Sequence, residues 1–337
     1  MARLTARELT VRMTTQHPET QHPETPHPDT QHPDTQHSDA RPTDAQSTDA
    51  QPKETRHAET RPAGRPAVLV LGGTGKTGRR VADQLIRAGH PVRIGSRSGG
   101  TPFDWEDRRT WGPALDGAAA AYIAYYPDVC DPGAATTLRA FAERAAEYGT
   151  RRLVLLSARG AEAALPAEEA VRVPGVEWTV LRASWFCQNF DEGVLRGGVL
   201  DGEIVFPAGD VKEPFVDADD IAEVAVAALT GDGHAGRIHE LTGPRLLTFA
   251  EAAAEIAGAT GRAVRYVPVS AGEYGAALVR DQGLPGELGA FLTDLFATLL
   301  DGRNAHLADG VQRVLGRAPR DFADYVRETA GSGTWAG

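Results

Sequence analysis

From residue 67 onward, short runs rich in Val, Ile, Leu and Tyr alternate with longer Ala/Leu/Arg stretches whose apolar positions recur at helical spacing. That alternation predicts a doubly wound α/β fold, a parallel sheet covered by helices. Strands are expected at 68–71, 91–95, 120–125, 152–157 and 177–182, with a faintly marked one at 101–103. Helices are expected between them at 75–88, 110–115, 132–148 and 161–173. The pattern is irregular through 185–210. It then gives a helix at 218–229, a strand at 237–241, a helix at 249–257 and a strand at 263–267, followed by helices near 271–279, 287–300 and 321–329. Residues 67–185 are therefore read as the main sheet domain. Residues 186–337 are read as a smaller C-terminal α/β lobe with elements returning to the sheet.

Residues 1–66 break this pattern. From Thr15 the chain repeats with a period of five, as TQHPE, TQHPE, TPHPD, TQHPD and TQHSD, decaying toward Arg65. Almost no aliphatic or aromatic side chain occurs there to offset the entropy of ordering, so a disordered low-complexity tail is expected. Six of the ten histidines lie in it. A weak metal-binding arm through His17, His22, His27, His32 and His37 is one reading; a solvated tail is the preferred one.

Charge and cysteine usage narrow the class. The net charge of −11 argues against a nucleic-acid partner, which calls for a basic patch. The two cysteines, Cys130 and Cys187, are far apart and have no metal-ligand spacing, so a reducing compartment and no metal are expected. No run approaches the roughly 18 apolar residues of a membrane span, and no secretory signal pattern begins the chain. The expectation is a cytoplasmic monomer or homodimer acting on a small molecule, with no membrane association.

The stretch VLGGTGKTG, 70–78, fits two phosphate-binding loops. Its GKT matches the end of a nucleoside-triphosphate P-loop, but the first glycine of that motif should stand at position 70, which is Val70. The alternative is a Rossmann-type dinucleotide loop. There Gly72 turns the chain after the strand, Gly75 lets backbone approach a pyrophosphate, and Gly78 lets helix and strand pack closely. No second apolar strand ends in a magnesium-binding Asp, so the dinucleotide reading is preferred over an ATPase. Thr74, Lys76 and Thr77 belong to the same loop; Lys76 is read as a phosphate or adenosine contact, with a solvated surface cation as the rival.

The second strand ends in Ser96 and Arg97, with no acid from 92 to 101. An acid there would bind the ribose hydroxyls of NAD, whereas an Arg fork suits the 2′-phosphate of NADP. NADP(H) is favoured over NAD(H).

Several segments together resemble the NmrA-like, atypical branch of the short-chain dehydrogenase/reductases, in particular the group containing the ergot-alkaloid festuclavine and agroclavine dehydrogenases. They are GGTGKTG, SRSGGTPFDWEDRRTW, RRLVLLSARG, GVEWTVLRASWFCQNF, EPFVDADDIAEVAVAAL, ELTGPRLLTFAEAAAEI, RAVRYVPVSAGEY and DGRNAHLADGVQRVLGRAPRDFADYV, in order across about residues 67 to 330. The resemblance implies NADPH and reduction of a small organic acceptor, of a kind met in secondary metabolism; it does not fix the acceptor. A non-catalytic NAD(P) sensor, which NmrA itself resembles, is the rival.

Common members of the wider superfamily use Tyr-x-x-x-Lys to donate a proton to a nascent alkoxide. The three lysines here, Lys53, Lys76 and Lys212, follow no tyrosine at that spacing. The isoflavone-reductase branch has a lysine after its fifth strand, where this chain has Ser157, Ala158, Arg159 and Gly160. An acceptor that is already electrophilic, such as an iminium, an activated alkene or a quinone, can take hydride with positioning alone.

Position at strand ends supplies the site candidates. Tyr125, Tyr126 and Pro127 close the fourth strand and are expected to run beside the cofactor, one of the tyrosines being core packing, and Ser157 closes the fifth near the nicotinamide. Asp104 and Trp105 fall where adenine should lie, with a helix-capping role for Asp104 or Asp107 as the rival. Trp185, Phe186 and Asn189 are read as an acceptor wall. Ser157, Tyr126 and Asn189 are the catalytic candidates. Asp217, Asp219 and Asp220 are read as helix-start acids in preference to a metal site, Cys187 as structural, and His234, His239 and His306 as structural or surface residues.

Overall fold

In the strand Ala67–Leu71 (β1), Leu69 and Leu71 enter one apolar layer while Val68 and Val70 enter another, since residues two apart share a face of a strand. Each such side chain contributes about 1.5–3 kcal/mol on burial. β1 can therefore lie only between two helical layers. The computed structural model describes residues 65–97 and 99–336, so the N-terminal repeat falls outside the described residues.

β1 is an interior strand, next to the central β4, of a seven-stranded parallel sheet of order β3-β2-β1-β4-β5-β6-β9. Its other strands are Val92–Ser96 (β2), Thr101–Pro102 (β3), Ala118–Ile123 (β4), Arg152–Ala158 (β5), Glu177–Ala183 (β6) and Arg237–Leu241 (β9). The order reverses between β1 and β4, which opens a crevice beyond their carboxyl ends. One face carries helices Trp111–Leu115 (α2), Ala134–Glu147 (α3) and Leu165–Ala170 (α4). The other carries Lys76–Arg87 (α1), Ala218–Thr230 (α6) and Gly310–Leu315 (α10). This is the doubly wound fold expected from the sequence.

A separate aromatic cluster gathers residues from the second half of the chain, centred on Phe190, Phe206, Phe215, Phe249 and Phe322. It is built from Arg196–Asp201 (α5), Glu203–Phe206 (β7), Lys212–Glu213 (β8), Leu247–Thr248 (β10), Phe249–Thr260 (α7) and Arg265–Pro268 (β11). Helices Ala271–Gln282 (α8), Gly286–Leu299 (α9) and Phe322–Gly331 (α11) complete it. β7 pairs in parallel with β11, and β8 antiparallel with β10.

Three local differences from the sequence reading matter for the site. β4 begins two residues earlier than expected and ends before the tyrosine pair, because a run of alanines forms the strand and Tyr125 and Tyr126 belong to the following loop. The expected helix at 161–173 is a 3₁₀ turn at Glu162–Ala164 followed by the short α4. The stretch read as irregular, 185–210, contains α5 and β7, and β8 follows just beyond it. Among the described residues no helix is long and apolar enough to cross a membrane.

Candidate functional site

A single cleft of about 1030 Å³ runs along the carboxyl edge of the sheet. Its walls include Gly72, Thr74, Gly75, Lys76 and Thr77 after β1, Ser96 and Arg97 after β2, and Asp104 and Trp105 beyond β3. Further along lie Tyr125, Tyr126 and Pro127 after β4, Ser157 and Arg159 at the end of β5, and Ser184, Trp185, Phe186 and Asn189 after β6. Leu295, Phe296 and Leu299 of α9, with Asn304, close the far end. Every residue the sequence suggested for cofactor or acceptor borders this cleft except Gly78.

Gly78 lies beneath the loop. A Cβ at that position would sit 2.1 Å from the carbonyl oxygen of Gly72, so only glycine lets α1 pack this closely on the turn. Gly72 adopts φ +73, and the turn is closed by Gly75, whose N–H donates to the Gly72 carbonyl at 2.9 Å. α1 starts at Gly75 with no side-chain cap. The first amides of α1 have no intrahelical acceptor, and the helix dipole favours an anion beside them. The Thr77 hydroxyl oxygen accepts the buried Tyr122 phenol at 2.9 Å, which leaves its own O–H to donate. Burial pushes that phenol well above the ordinary tyrosine range.

The β2 end suits a phosphate. Ser96 Oγ is buried with no partner among the described residues, and Arg97 is exposed with its guanidinium 5.5 Å from the Tyr126 ring centroid. Next to it, Trp105 makes edge or tilted contacts with Phe103 at 4.8 Å, Tyr125 at 4.9 Å and Phe141 at 5.2 Å, leaving an aromatic wall on the cleft. Tyr125 is thus the packing tyrosine and Tyr126 the one facing Arg97. Asp104 accepts the Glu106 amide at 3.1 Å through its carboxylate, while Asp107 caps the 3₁₀ turn through the Arg109 amide at 3.1 Å. A dinucleotide carrying a 2′-phosphate fits these groups: glycine loop and helix amides for the pyrophosphate, Ser96 and Arg97 for the phosphate.

Lys76 reaches away from the adenosine end. Its ammonium donates to Asn189 Oδ1 at 3.0 Å, which ties the glycine loop to the loop after β6. Burial pulls its pKa down to about 8, against the opposing charges of Glu192 and Asp191 and with the help of Arg79 and Arg80. Glu192 pairs with Arg79 at 2.5 Å and Arg80 at 2.8 Å, strengthening the same tie.

Ser157 is buried and its hydroxyl donates to Glu168 Oε1 at 2.7 Å. Glu168 is itself held by Arg182, with an N···O distance of 2.6 Å. The Ser157 hydrogen is committed to Glu168, so toward the cleft the residue presents lone pairs. Trp185 combines wall and packing roles, touching Phe206, Phe249 and Phe296 at 5.3, 5.8 and 5.9 Å.

The clustered aspartates, Cys187 and the histidine pair outside the cleft have structural settings. Asp217 caps α6 through the Asp219 amide and also accepts Gln188; Asp220 is buried and paired with Arg317 and Arg320. Cys187 is fully buried, which pushes its thiol well above the ordinary range. His234 and His239 lie together away from the cleft, ring nitrogens 3.3 Å apart.

Sequence reasoning missed Arg159, Ser184, Asn304 and the α9 side chains as cleft residues. Arg159 and Ser184 carried a usable signal, since each directly follows a parallel strand whose carboxyl end faces the crevice.

No protein-family model matches the chain. It is 36% identical over 271 residues to the uncharacterized oxidoreductase YesF of Bacillus subtilis, covering 77% of this chain and 93% of that protein. It is 32% identical over 281 residues to the agroclavine dehydrogenase of Claviceps fusiformis, covering 77% and 96%. Among solved structures, the NADPH-dependent quinone oxidoreductase of Escherichia coli complexed with NADPH superposes with a TM-score of 0.64 at 21% identity, covering 77% of this chain and 99% of that one.

Proposed function

The chain belongs to the NmrA-like, atypical short-chain dehydrogenase/reductase family, and on that premise we propose that it is an NADPH-dependent oxidoreductase. It passes hydride to an electrophilic small organic acceptor: an iminium C=N, an activated C=C or a quinone. The observation that carries this reading is the single continuous cleft, which joins the glycine loop and the Ser96/Arg97 end to an aromatic wall of Trp185 and Phe296. When bound, the reduced nicotinamide supplies the hydride. The residues that would hold the cofactor are Gly72, Thr74, Gly75 and Lys76 at the pyrophosphate, Ser96 and Arg97 at the 2′-phosphate, Asp104 and Trp105 at the adenine, and Tyr126, Pro127 and Ser157 toward the nicotinamide.

What the site offers chemically is position more than acid catalysis. Ser157 spends its proton on Glu168, so it is an acceptor toward a bound amide group and not a proton donor to substrate. Asn189, held by Lys76, orients the acceptor with its remaining amide donors. Alignment of reacting groups supplies up to about 7–11 kcal/mol of a barrier, which suffices for acceptors that need little protonation.

The test is oxidation of NADPH, followed at its absorbance maximum, against a panel of quinones, enones and iminium ions. Turnover with at least one is the expected result. Tight NADPH binding with no oxidation by any of them would instead favour a sensor that binds the dinucleotide without reaction.

A further inference from the structure

Beyond the hydride site, the end of the cleft carries two buried groups with unfilled hydrogen-bonding capacity. Arg159 and Ser184 are 3% and 5% exposed and both border the cleft. In the β5/β6 register Ala158 pairs with Ala183, and the Arg159 amide donates to the Ala183 carbonyl at 3.0 Å, so Arg159 and Ser184 are neighbours just past the strand ends. Arg159 Nε donates to Glu240 at 3.1 Å and Nη1 to the Asn304 carbonyl at 2.9 Å. Its Nη2, and the Ser184 Oγ, have no partner among the described residues. A buried donor left unpaired costs stability, about 1–3 kcal/mol for a neutral group and more for a charged one, so two side by side indicate a ligand group. The remaining charge facing Arg159 is Glu213, also buried and without a hydrogen-bond partner; Asp301 lies beyond it.

We propose that Arg159 Nη2 and Ser184 Oγ form an oxyanion site that selects acceptors bearing a carbonyl oxygen conjugated to the carbon that takes hydride. The substrate class is then quinones and enones rather than iminium ions. This rests on the oxidoreductase reading above and narrows its acceptor. Hydride brings two electrons to the β-carbon, the C=C pair shifts toward the carbonyl carbon, and the C=O pair moves onto oxygen. The resulting enolate or phenolate is held by the two donors and takes its proton from water after release. A donor aimed at a developing oxyanion in a site that excludes water is worth roughly 100-fold in rate, and a charged guanidinium contributes more than a neutral hydroxyl. A cationic iminium gains no negative oxygen for the two donors to hold.

Two measurements test the site independently. In the first, kcat/KM is measured for a quinone and for an iminium acceptor with the wild type, Arg159→Met, Arg159→Lys and Ser184→Ala. The expected result is a loss of roughly 100-fold for the quinone alone in Arg159→Met, a smaller one in Ser184→Ala, and partial recovery with Lys. In the second, 4-nitrophenol is titrated with NADP⁺-loaded protein, and its phenolate band is expected at a pH about one unit lower than in water, reverting in both Arg159→Met and Ser184→Ala. Ser184→Ala carries the test if loss of Arg159 prevents folding. Equal losses for both acceptors, or a phenolate band unmoved by the protein, would overturn the proposal. If the wild type reduces neither acceptor, the oxidoreductase reading fails, while the phenolate band still decides whether the oxyanion site exists.

Discussion

On the proposed reading, Arg97 is the residue that separates the two nicotinamide cofactors. It is exposed just past β2 beside the orphan hydroxyl of Ser96 and would pair with the 2′-phosphate that NADPH alone carries, where a charge-assisted hydrogen bond contributes about 1.5–3 kcal/mol. Arg97→Ala should therefore weaken NADPH binding by roughly 10- to 100-fold and leave NADH nearly unchanged in a calorimetric titration. Equal weakening of both would remove the 2′-phosphate role. The glycines, Arg97 and Trp105 were legible because each meets a local requirement: a turn, a missing acid, an aromatic beyond a strand. Asn304 was not, because it meets Arg159 only through a contact across 145 positions of sequence. Lys76 was legible as a loop residue but not in direction, since its partner Asn189 lies 113 positions away.

Elements add requirements that no single residue shows. α1 lies so close to the β1 turn that a methyl group at Gly78 would meet the Gly72 carbonyl. Gly78→Ala should cost about 1–3 kcal/mol and abolish dinucleotide binding; a thermal melt with and without NADPH reads both. β8 carries the buried Glu213, whose carboxyl burial pushes up to about 7, with Arg159 opposing and Asp301 reinforcing. In the unfolded chain that group ionises near 4.5. Between those values the unfolded state releases a proton that the folded state keeps, so stability falls as pH rises through the window. Glu213→Gln should remove that share of the slope, and urea midpoints at about pH 4 and about pH 7.5 should lie closer together than in the wild type. β-branched and leucine-rich strands such as β1, β5 and β6 announced themselves, and β9 matched residue for residue. β4 was read two residues late because alanine favours helices and gives a strand no signature. α5 was missed because its two glycines mask helical periodicity, and β7 because a four-residue strand is too short to show alternation.

At the scale of the molecule, the repeat at 15–65 carries almost no aliphatic or aromatic side chain with which to join a core. A chain beginning at Arg65 should thus match the full-length protein in melting temperature and NADPH affinity; a clear drop in either would assign the N-terminal repeat a part in folding or binding. The ties between α1 and the loop after β6 have a further consequence. Lys76 holds Asn189 while Arg79 and Arg80 hold Glu192, so the segment over the acceptor is anchored to the helix that grips the cofactor. The acceptor-side loop cannot open alone. Its amides, around 189–193, should exchange with solvent deuterium in step with those at the start of α1, and NADPH should slow both together even when no acceptor is present.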